Sequence, residues 1–470
     1  MDERPNFLVF IVEQHRGDCL SCDGHPVLLT PTMDEIGGRG ARFARAYSTC
    51  PVCVPARRSF LTGQFPGTHG VFSNASVEWD GPTVASELTR AGYQTAWLGR
   101  SMHQTPVRKR HGFELNIYND HRDPLDDYNQ FLARSQPEGS GGYYGTGVMH
   151  NDWTARPWHL PEALHHTNWT VNLALDFLRR RDPTCPFFVV ASFIAAHPPL
   201  VPPACYFERY IRTGVPEPVL GDWATPPEGV GFPGGPSPNA VKLTGEALLS
   251  TRAGYYGLIN HLDDQLHRLL NGVTGVDRMT GRNTVVVLTA DHGEMLGDHY
   301  LWRKSLPYEG ACRIPMLLRA PERFGIGAGT VLDQPVGLED LMPTMLEMAG
   351  VDCPDTVDGR SLLPLLRGEK APWRPHIQVE CAPTFQCLTD GREKYVWFVR
   401  DGREQLFDLA ADPTECHDLA ASPARAERLA WWRAELVAAL AGRPEGFSDG
   451  SRLIPGRPYP GARPPQTQAP

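Results

Sequence analysis

A chain of 470 residues is longer than one hydrophobic core usually supports, so length alone predicts a large domain with a smaller one attached. Hydrophobic residues at 41% and charged residues at 21% are the proportions of a globular protein, which excludes a disordered or fibrous chain. The formal net charge of −9 argues against general nucleic-acid binding, and no apolar run approaches the roughly 18 residues that cross a bilayer.

The N-terminus, Met1-Asp-Glu-Arg-Pro, runs straight into an apolar strand pattern without a basic n-region or cleavage site, so no signal peptide is read and a cytoplasmic location is expected. Asn6-Phe-Leu-Val-Phe-Ile-Val12 has the continuous apolar, β-branched character of a strand buried on both faces of a parallel sheet. It stops at Glu13-Gln14-His15, beyond the carboxyl end of the strand, where ligands of open α/β sheets sit. Helix signals follow at Thr30 to Ile36 and again at Thr83 to Arg90, and a strand at Gln94 to Leu98 leads into Gly99-Arg100-Ser-Met-His103. Residues 104 to 160 show little periodicity and read as surface loops. Pro161 to Arg180 reads as helix, and Pro186 to Ile194 as a second fully buried strand that ends in Ala-Ala-His197. A Pro/Gly-rich excursion from about 213 to 243 precedes a helical pattern from Leu248 to Leu270. Asn283 to Ala290 is a third buried strand, finishing in Asp291-His292-Gly293-Glu294, and Lys304 lies just ahead of a strand at Ile314 to Arg319.

Two distant strands thus each end in paired ligand types, a carboxylate with a carboxamide and a carboxylate with an imidazole. Together they would make a mixed O/N site for Ca²⁺, Mg²⁺ or Mn²⁺. Alternating strands and helices up to about residue 370 argue a doubly wound α/β domain, 1–370. Short strands and a helix then make a small antiparallel α+β domain over 371–445, and 446–470 is a Pro/Gly-rich tail. From 442 onward the chain is expected to be disordered or to lie as an arm on a partner subunit.

Eleven cysteines, an odd number widely scattered, fit reduced thiols better than a disulfide framework. The Cys-x-x-Cys pairs Cys19/Cys22 and Cys50/Cys53 invite a zinc reading that the long spacer between them disfavours. Cys50-Pro-Val-Cys53-Val-Pro55-Ala-Arg57-Arg-Ser-Phe-Leu61-Thr-Gly63 is more informative. Pro55 sets φ just before a run, Ala56 to Leu61, that can wind into a helix, which puts Cys53 on the entry turn among free N–H groups. Arg57 and Arg58 within one turn would hold a tetrahedral oxyanion and lower the pKa of a nearby thiol.

The Cys-x-Pro-x-Arg order followed by Leu-Thr-Gly resembles the signature of type I sulfatases of the alkaline phosphatase superfamily. The resemblance runs from Asn6 to about Leu419 and includes Asn74 in the Gly-Val-Phe-Ser-Asn turn, Thr289-Ala-Asp-His-Gly, Trp302-Arg-Lys-x-x-x-Tyr-Glu309 and Asp340-x-x-Pro-Thr344. It implies an alkaline-phosphatase-like fold, a mixed and mostly parallel sheet between helices. It also implies that Cys53 is converted to formylglycine by a formylglycine-generating enzyme. One geminal hydroxyl of the hydrated aldehyde attacks sulfur, and the other later expels sulfate. Carried over, Glu13, Gln14, Asp291 and His292 would hold one divalent cation, Ca²⁺ or Mn²⁺. Arg57 and Lys304 would bind sulfate oxygens, His197 would protonate the leaving oxygen, His103 would assist, and Asn74 and Arg100 would contact substrate. Glu13 stands where most members carry Asp. Arg100 replaces a usual Lys in a motif one residue longer. The Gln14/His292 pair is the pattern of choline-sulfatase-like enzymes and phosphonate monoester hydrolases. The implied substrate is a small-molecule sulfate ester or a phosphonate or phosphate ester, and a homo-oligomer is expected. A non-catalytic anion-binding relative is a third reading.

Overall fold

The computed structural model describes residues 4–120, 123–227, 239–280 and 283–463. In chain order the strands are β1 (Asn6–Glu13), β2 (Ala41–Phe43), β3 (Ala46–Tyr47), β4 (Gln94–Arg100), β5 (Leu115–Asn119), β6 (Phe187–Ala196), β7 (Thr284–Ala290), β8 (Met316–Arg319), β9 (Thr330–Leu332), β10 (Val336–Gly337), β11 (Ile377–Cys381), β12 (Phe385–Thr389), β13 (Glu393–Phe398) and β14 (Glu404–Asp408). Eight of them form one sheet in the order β5-β4-β6-β1-β7-β8-β2-β9. Neighbours from β5 to β7 run parallel, and β8 is antiparallel to both β7 and β2.

The apolar N-terminal run lies mid-sheet because both of its faces need cover, and every residue of β1 is buried. Leu8, Phe10 and Val12 pack with residues of the helices His166–Arg180 and Gly245–Thr280. Phe7, Val9 and Ile11 face the opposite layer, which includes Ala56, Phe60 and Leu61 of the helix Cys53–Thr62 and Met342, Met345 and Leu346 of the helix Leu341–Ala349. Alternation along one strand therefore builds the helix-sheet-helix sandwich that the sequence predicts.

Strands β11 to β14 pair antiparallel in order. One face of this small sheet packs on Tyr47, Cys50 and Val52 ahead of the signature helix, and on Met295 and Tyr308. The other is covered by Trp432, Leu436 and Leu440 of the helix Ala426–Leu440, together with Phe72 and Phe447.

Several local expectations change. The stretch 104–160, read as loops, contains the edge strand β5 and the helix Asp127–Ser135. Only Tyr118 and Asn119 of β5, and only Tyr128 and Leu132 of that helix, are buried, so neither leaves a clear apolar period. The helix expected from Pro161 begins at His166 after a 3₁₀ turn, Glu162–Leu164, and the one expected over 248–270 runs from Gly245 to Thr280. The C-terminal segment, expected to be disordered or an arm on a partner, lies on its own chain as far as Arg463. Phe447 is buried, and the Phe72 and Arg463 amides donate to Gly461 O and Gly70 O at 2.8 and 2.6 Å. Residues 464–470, and 228–238 of the Pro/Gly-rich excursion, lie outside the described residues. No helix among the described residues is long and apolar enough to cross a membrane.

Candidate active site

The carboxyl ends of four parallel strands converge with the start of one helix. β1 delivers Glu13 and then Gln14, β4 ends at Arg100 with His103 just beyond, β6 is followed by His197, and β7 by Asp291 and His292. The β1/β6 register slips after Val12, whose partner is Phe193, so that Glu13 pairs with Ala196. An irregularity of this kind re-aims the strand's last side chain. Glu13 Oε1 stands 3.4 Å from Cys53 Sγ, while Arg100 ion-pairs with both carboxylate oxygens of Glu13.

Cys53 opens a helix in which every residue is buried, three residues earlier than the run Ala56 to Leu61 predicts. Asn74 Oδ1 accepts from the Val54 amide at 3.1 Å, so Asn74 fastens the first turn of this helix. The helix stops at Gly63, which has φ 67° and donates to Ser59 O. Arg57 is held on three sides: Nε donates to Asp291 Oδ2 at 3.0 Å, and Nη1 to Ser101 O at 3.1 Å and Ser192 Oγ at 2.9 Å. Its Nη2 is buried without a hydrogen-bond partner among the described residues. Arg58, expected to face the same anion, turns away to Gln104 and Val77 O and lies over the Trp79 ring. Adjacent residues on a helix point about 100° apart, so Arg57 faces the site and Arg58 does not.

Cys53 Sγ, a carboxylate oxygen of Asp291 and a ring nitrogen of His292 lie within 4.8 Å of one another. His292 Nδ1 donates to Gly293 O at 2.9 Å, which leaves Nε2 as the ring's acceptor, 3.3 Å from the thiol. Asp291 Oδ1 accepts from the backbone amides of Gln14 and His292. Gln14 has φ 65°, and its Oε1 accepts from Lys304 Nζ at 2.8 Å. Asp291 and His292, the latter in the ligating tautomer, fall in one cluster with Cys53, and the carboxylate of Glu13 and the amide oxygen of Gln14 are donor types that would suit the same divalent cation. Lys304 is brought in by the loop before Ser305, whose amide donates to Pro51 O at 3.0 Å, tying that loop to the signature.

Burial would raise the Glu13 pKa, but Arg100, then His197, His103 and Arg57, outweigh it and hold the carboxyl well below the usual range. The thiol behaves against expectation. Burial pushes Cys53 up to about 12, and Lys304 and Arg57 do not offset burial plus the carboxylates of Glu13 and Asp291. Burial also lowers His292 to about 4, and burial with Lys304 holds His197 well below the ordinary histidine range. His197 Nδ1 bonds to Pro198 O at 2.6 Å, and the His150 ring stacks on it at 4.7 Å between centroids. His103 Nε2 lies 3.6 Å from Glu13 Oε1. Arg100, expected at the substrate, instead engages Glu13 and, through Nη1, Asp120 at 3.3 Å.

Sequence reasoning missed Ser192 and His150. A lone polar residue inside the apolar run Phe187–Ala196 was the available signal for Ser192. His150 lies in a stretch without periodicity, and nothing local marks it.

The family model described as Sulfatase matches residues 5–351, and one described as N-sulphoglucosamine sulphohydrolase, C-terminal, matches 297–440. The chain is 37% identical to an arylsulfatase of Clostridium perfringens, over 97% of this chain and 98% of that one. It is 29% identical to a choline-sulfatase of Rhizobium meliloti, over 89% and 83%. The crystal structure of a phosphonate monoester hydrolase of Agrobacterium radiobacter superposes with a TM-score of 0.78 at 25% identity, covering 93% of this chain and 95% of that one. With the signature helix seated at the strand ends and both family models matched across the sheet and its C-terminal unit, the chain belongs to the sulfatase family of the alkaline phosphatase superfamily and is a sulfuric ester hydrolase.

Proposed function

We propose that the enzyme hydrolyses the sulfate monoester of a small or aryl alcohol, with formylglycine made from Cys53 as its nucleophile. The observation that carries this reading is the place of Cys53, which opens the signature helix within 3.4 Å of Glu13 Oε1 and 3.3 Å of His292 Nε2. Cys53 sits at the centre of the convergent side chains, yet burial pushes its pKa up to about 12, which disfavours a thiolate nucleophile and suits a precursor residue. Conversion would require a formylglycine-generating enzyme.

The remaining residues divide the work by charge. Arg57, fixed on three sides, presents Nη2 to a sulfuryl oxygen, and Lys304 adds a second cation. Arg100 keeps Glu13 ionised beside position 53 rather than touching substrate. His197, with Nδ1 bonded to Pro198 O, exchanges protons through Nε2 and serves the leaving oxygen. A bound sulfate ester places negative charge beside that ring and favours its protonation. His103 supports the Glu13 carboxylate. Glu13, Gln14 Oε1, Asp291 and His292 Nε2 would hold one divalent cation, Ca²⁺ or Mn²⁺, which supplies Lewis-acid polarisation of an ester oxygen. The acidic whole therefore carries a local positive focus, as an anionic substrate requires.

The likeness to the phosphonate monoester hydrolase supports a second reading in which the same groups cleave a phosphonate ester. Intact-protein mass and rates on paired substrates test both. A loss of about 18 Da at Cys53 with faster turnover of p-nitrophenyl sulfate than of p-nitrophenyl phenylphosphonate is expected. The reverse order of rates would favour the phosphonate reading. Full activity with an unmodified thiol, or in the Cys53→Ala variant, would refute the nucleophile.

A further inference from the structure

Gln14 is an unusual choice of ligand because an amide has a wrong way round. A carboxylate presents oxygen whichever way it turns, but a flipped glutamine would point N–H donors at both a cation and Lys304. The structure holds a feature that forbids the flip. Glu294, buried at 3% exposure, accepts from Gln14 Nε2 through Oε2. Its Oε1 accepts from the backbone amides of Leu296, at 2.9 Å, and Arg303. On the far side, Lys304 Nζ donates to Gln14 Oε1 at 2.8 Å. Reversing the Gln14 amide would set oxygen against the Glu294 carboxylate and N–H against the Lys304 ammonium, two repulsive contacts in place of two attractive ones.

We propose that Glu294 is a positioning residue, whose carboxylate fixes the Gln14 amide so that oxygen faces the cation site. This rests on the reading above that Gln14 is a cation ligand. Glu294 needs both of its oxygens as acceptors. In Glu294→Gln, the new amide must keep its oxygen on the Leu296 and Arg303 amides, so its NH₂ meets the NH₂ of Gln14. Rotating Gln14 relieves that clash and turns N–H toward Lys304 and the cation. The exchanged pair, Gln14→Glu with Glu294→Gln, restores every hydrogen bond: the amide at 294 donates to the carboxylate at 14, whose second oxygen still receives Lys304. Net charge is unchanged.

The test is Mn²⁺ titration of the full-length, chelator-stripped protein, with free Mn²⁺ followed by EPR. Melting temperature is recorded alongside as a fold control. Glu294→Gln should weaken Mn²⁺ binding by about 10- to 100-fold, as loss of a ligand-orienting partner commonly does. The exchanged pair should recover most of that loss. Wild-type Mn²⁺ affinity in Glu294→Gln, or an exchanged pair that folds and binds no better than the single variant, would overturn the proposal. Should Glu294→Gln fail to fold, the exchanged pair alone decides: folding with near wild-type Mn²⁺ affinity supports it, and anything less overturns it. Gln14→Ala separates the two levels. Weakened Mn²⁺ binding is expected, while unchanged binding would refute the ligand reading and this inference with it.

Discussion

At the scale of single residues, the site works by fixing charged groups rather than by exposing them. Arg57 shows how tightly. Its guanidinium reaches Asp291, Ser101 O and Ser192 and still has Nη2 to offer, whereas those three acceptors would use up all the donors of an ammonium. Arg57→Lys keeps the charge and loses the geometry. We expect kcat/KM on p-nitrophenyl sulfate to fall by about 100-fold or more, with a far smaller change in melting temperature; near wild-type turnover would mean that charge alone suffices. A different residue-level rule governs His166. It is 2% exposed among the rings of Tyr128, Tyr143 and His165, and burial first, then His261 and Arg100, lowers its pKa to about 3. The unfolded chain, with an ordinary histidine pKa near 6.5, binds the proton that the fold refuses. The ring therefore costs nothing above pH 6.5 and removes stability as pH falls below it. Comparing His166→Phe with wild type in urea at pH 7 and pH 5 cancels every group common to both. The variant should lose about 2 kcal/mol less between those pH values. Equal losses would show that the ring charges in the fold without penalty.

At the scale of elements, the strand ends were legible and the surfaces between them were not. Continuous apolar runs that break into Glu13-Gln14, His197 and Asp291-His292 mark buried parallel strands and what they deliver, because burial on both faces writes itself into every position. Arg58 was misread because adjacent residues on a helix diverge, and the thiol pKa was misread because burial is invisible in a list of nearby charges. β5 and the helix Asp127–Ser135 lie at the sheet edge with few buried residues, so no period announces them. The signature helix itself ends on a position that sequence does mark. Gly63 has φ 67°, and a Cβ there would come within 2.7 Å of Val357 Cγ1 and 3.4 Å of Met342 Cβ. Gly63→Ala should therefore destabilise the protein by about 1–3 kcal/mol in urea unfolding, through backbone strain plus overpacking. An unchanged midpoint would mean that neither cost is felt.

At the scale of the whole molecule, the C-terminal unit from β11 onward is part of the site's support. The small sheet packs on Tyr47, Cys50 and Val52, immediately ahead of Cys53, and the segment after the last helix returns to the turn that carries Asn74. Ser73 Oγ and the Phe72 amide both donate to Gly461 O, and the Arg463 amide donates to Gly70 O. Phe447 is fully buried against Trp397 and Tyr459, in the cluster that also holds Phe72. Composition hid this, since a Pro/Gly/Arg-rich stretch can contribute one large aromatic ring and a few backbone bonds without any periodicity. A chain truncated after Glu445 loses the Phe447 anchor, worth about 3–5 kcal/mol for a buried aromatic ring, and frees the 70–74 turn. Asn74 then no longer holds the Val54 amide firmly, and the first turn of the signature helix frays. The truncated protein should melt at a lower temperature and turn over p-nitrophenyl sulfate more slowly, whereas Phe447→Ala in the full chain should lower stability with less effect on rate, because the backbone bonds to Gly70 and Phe72 persist. If Phe447→Ala slows turnover as much as truncation does, the returning segment acts through core packing alone. If truncation changes neither, the site helix stands without it.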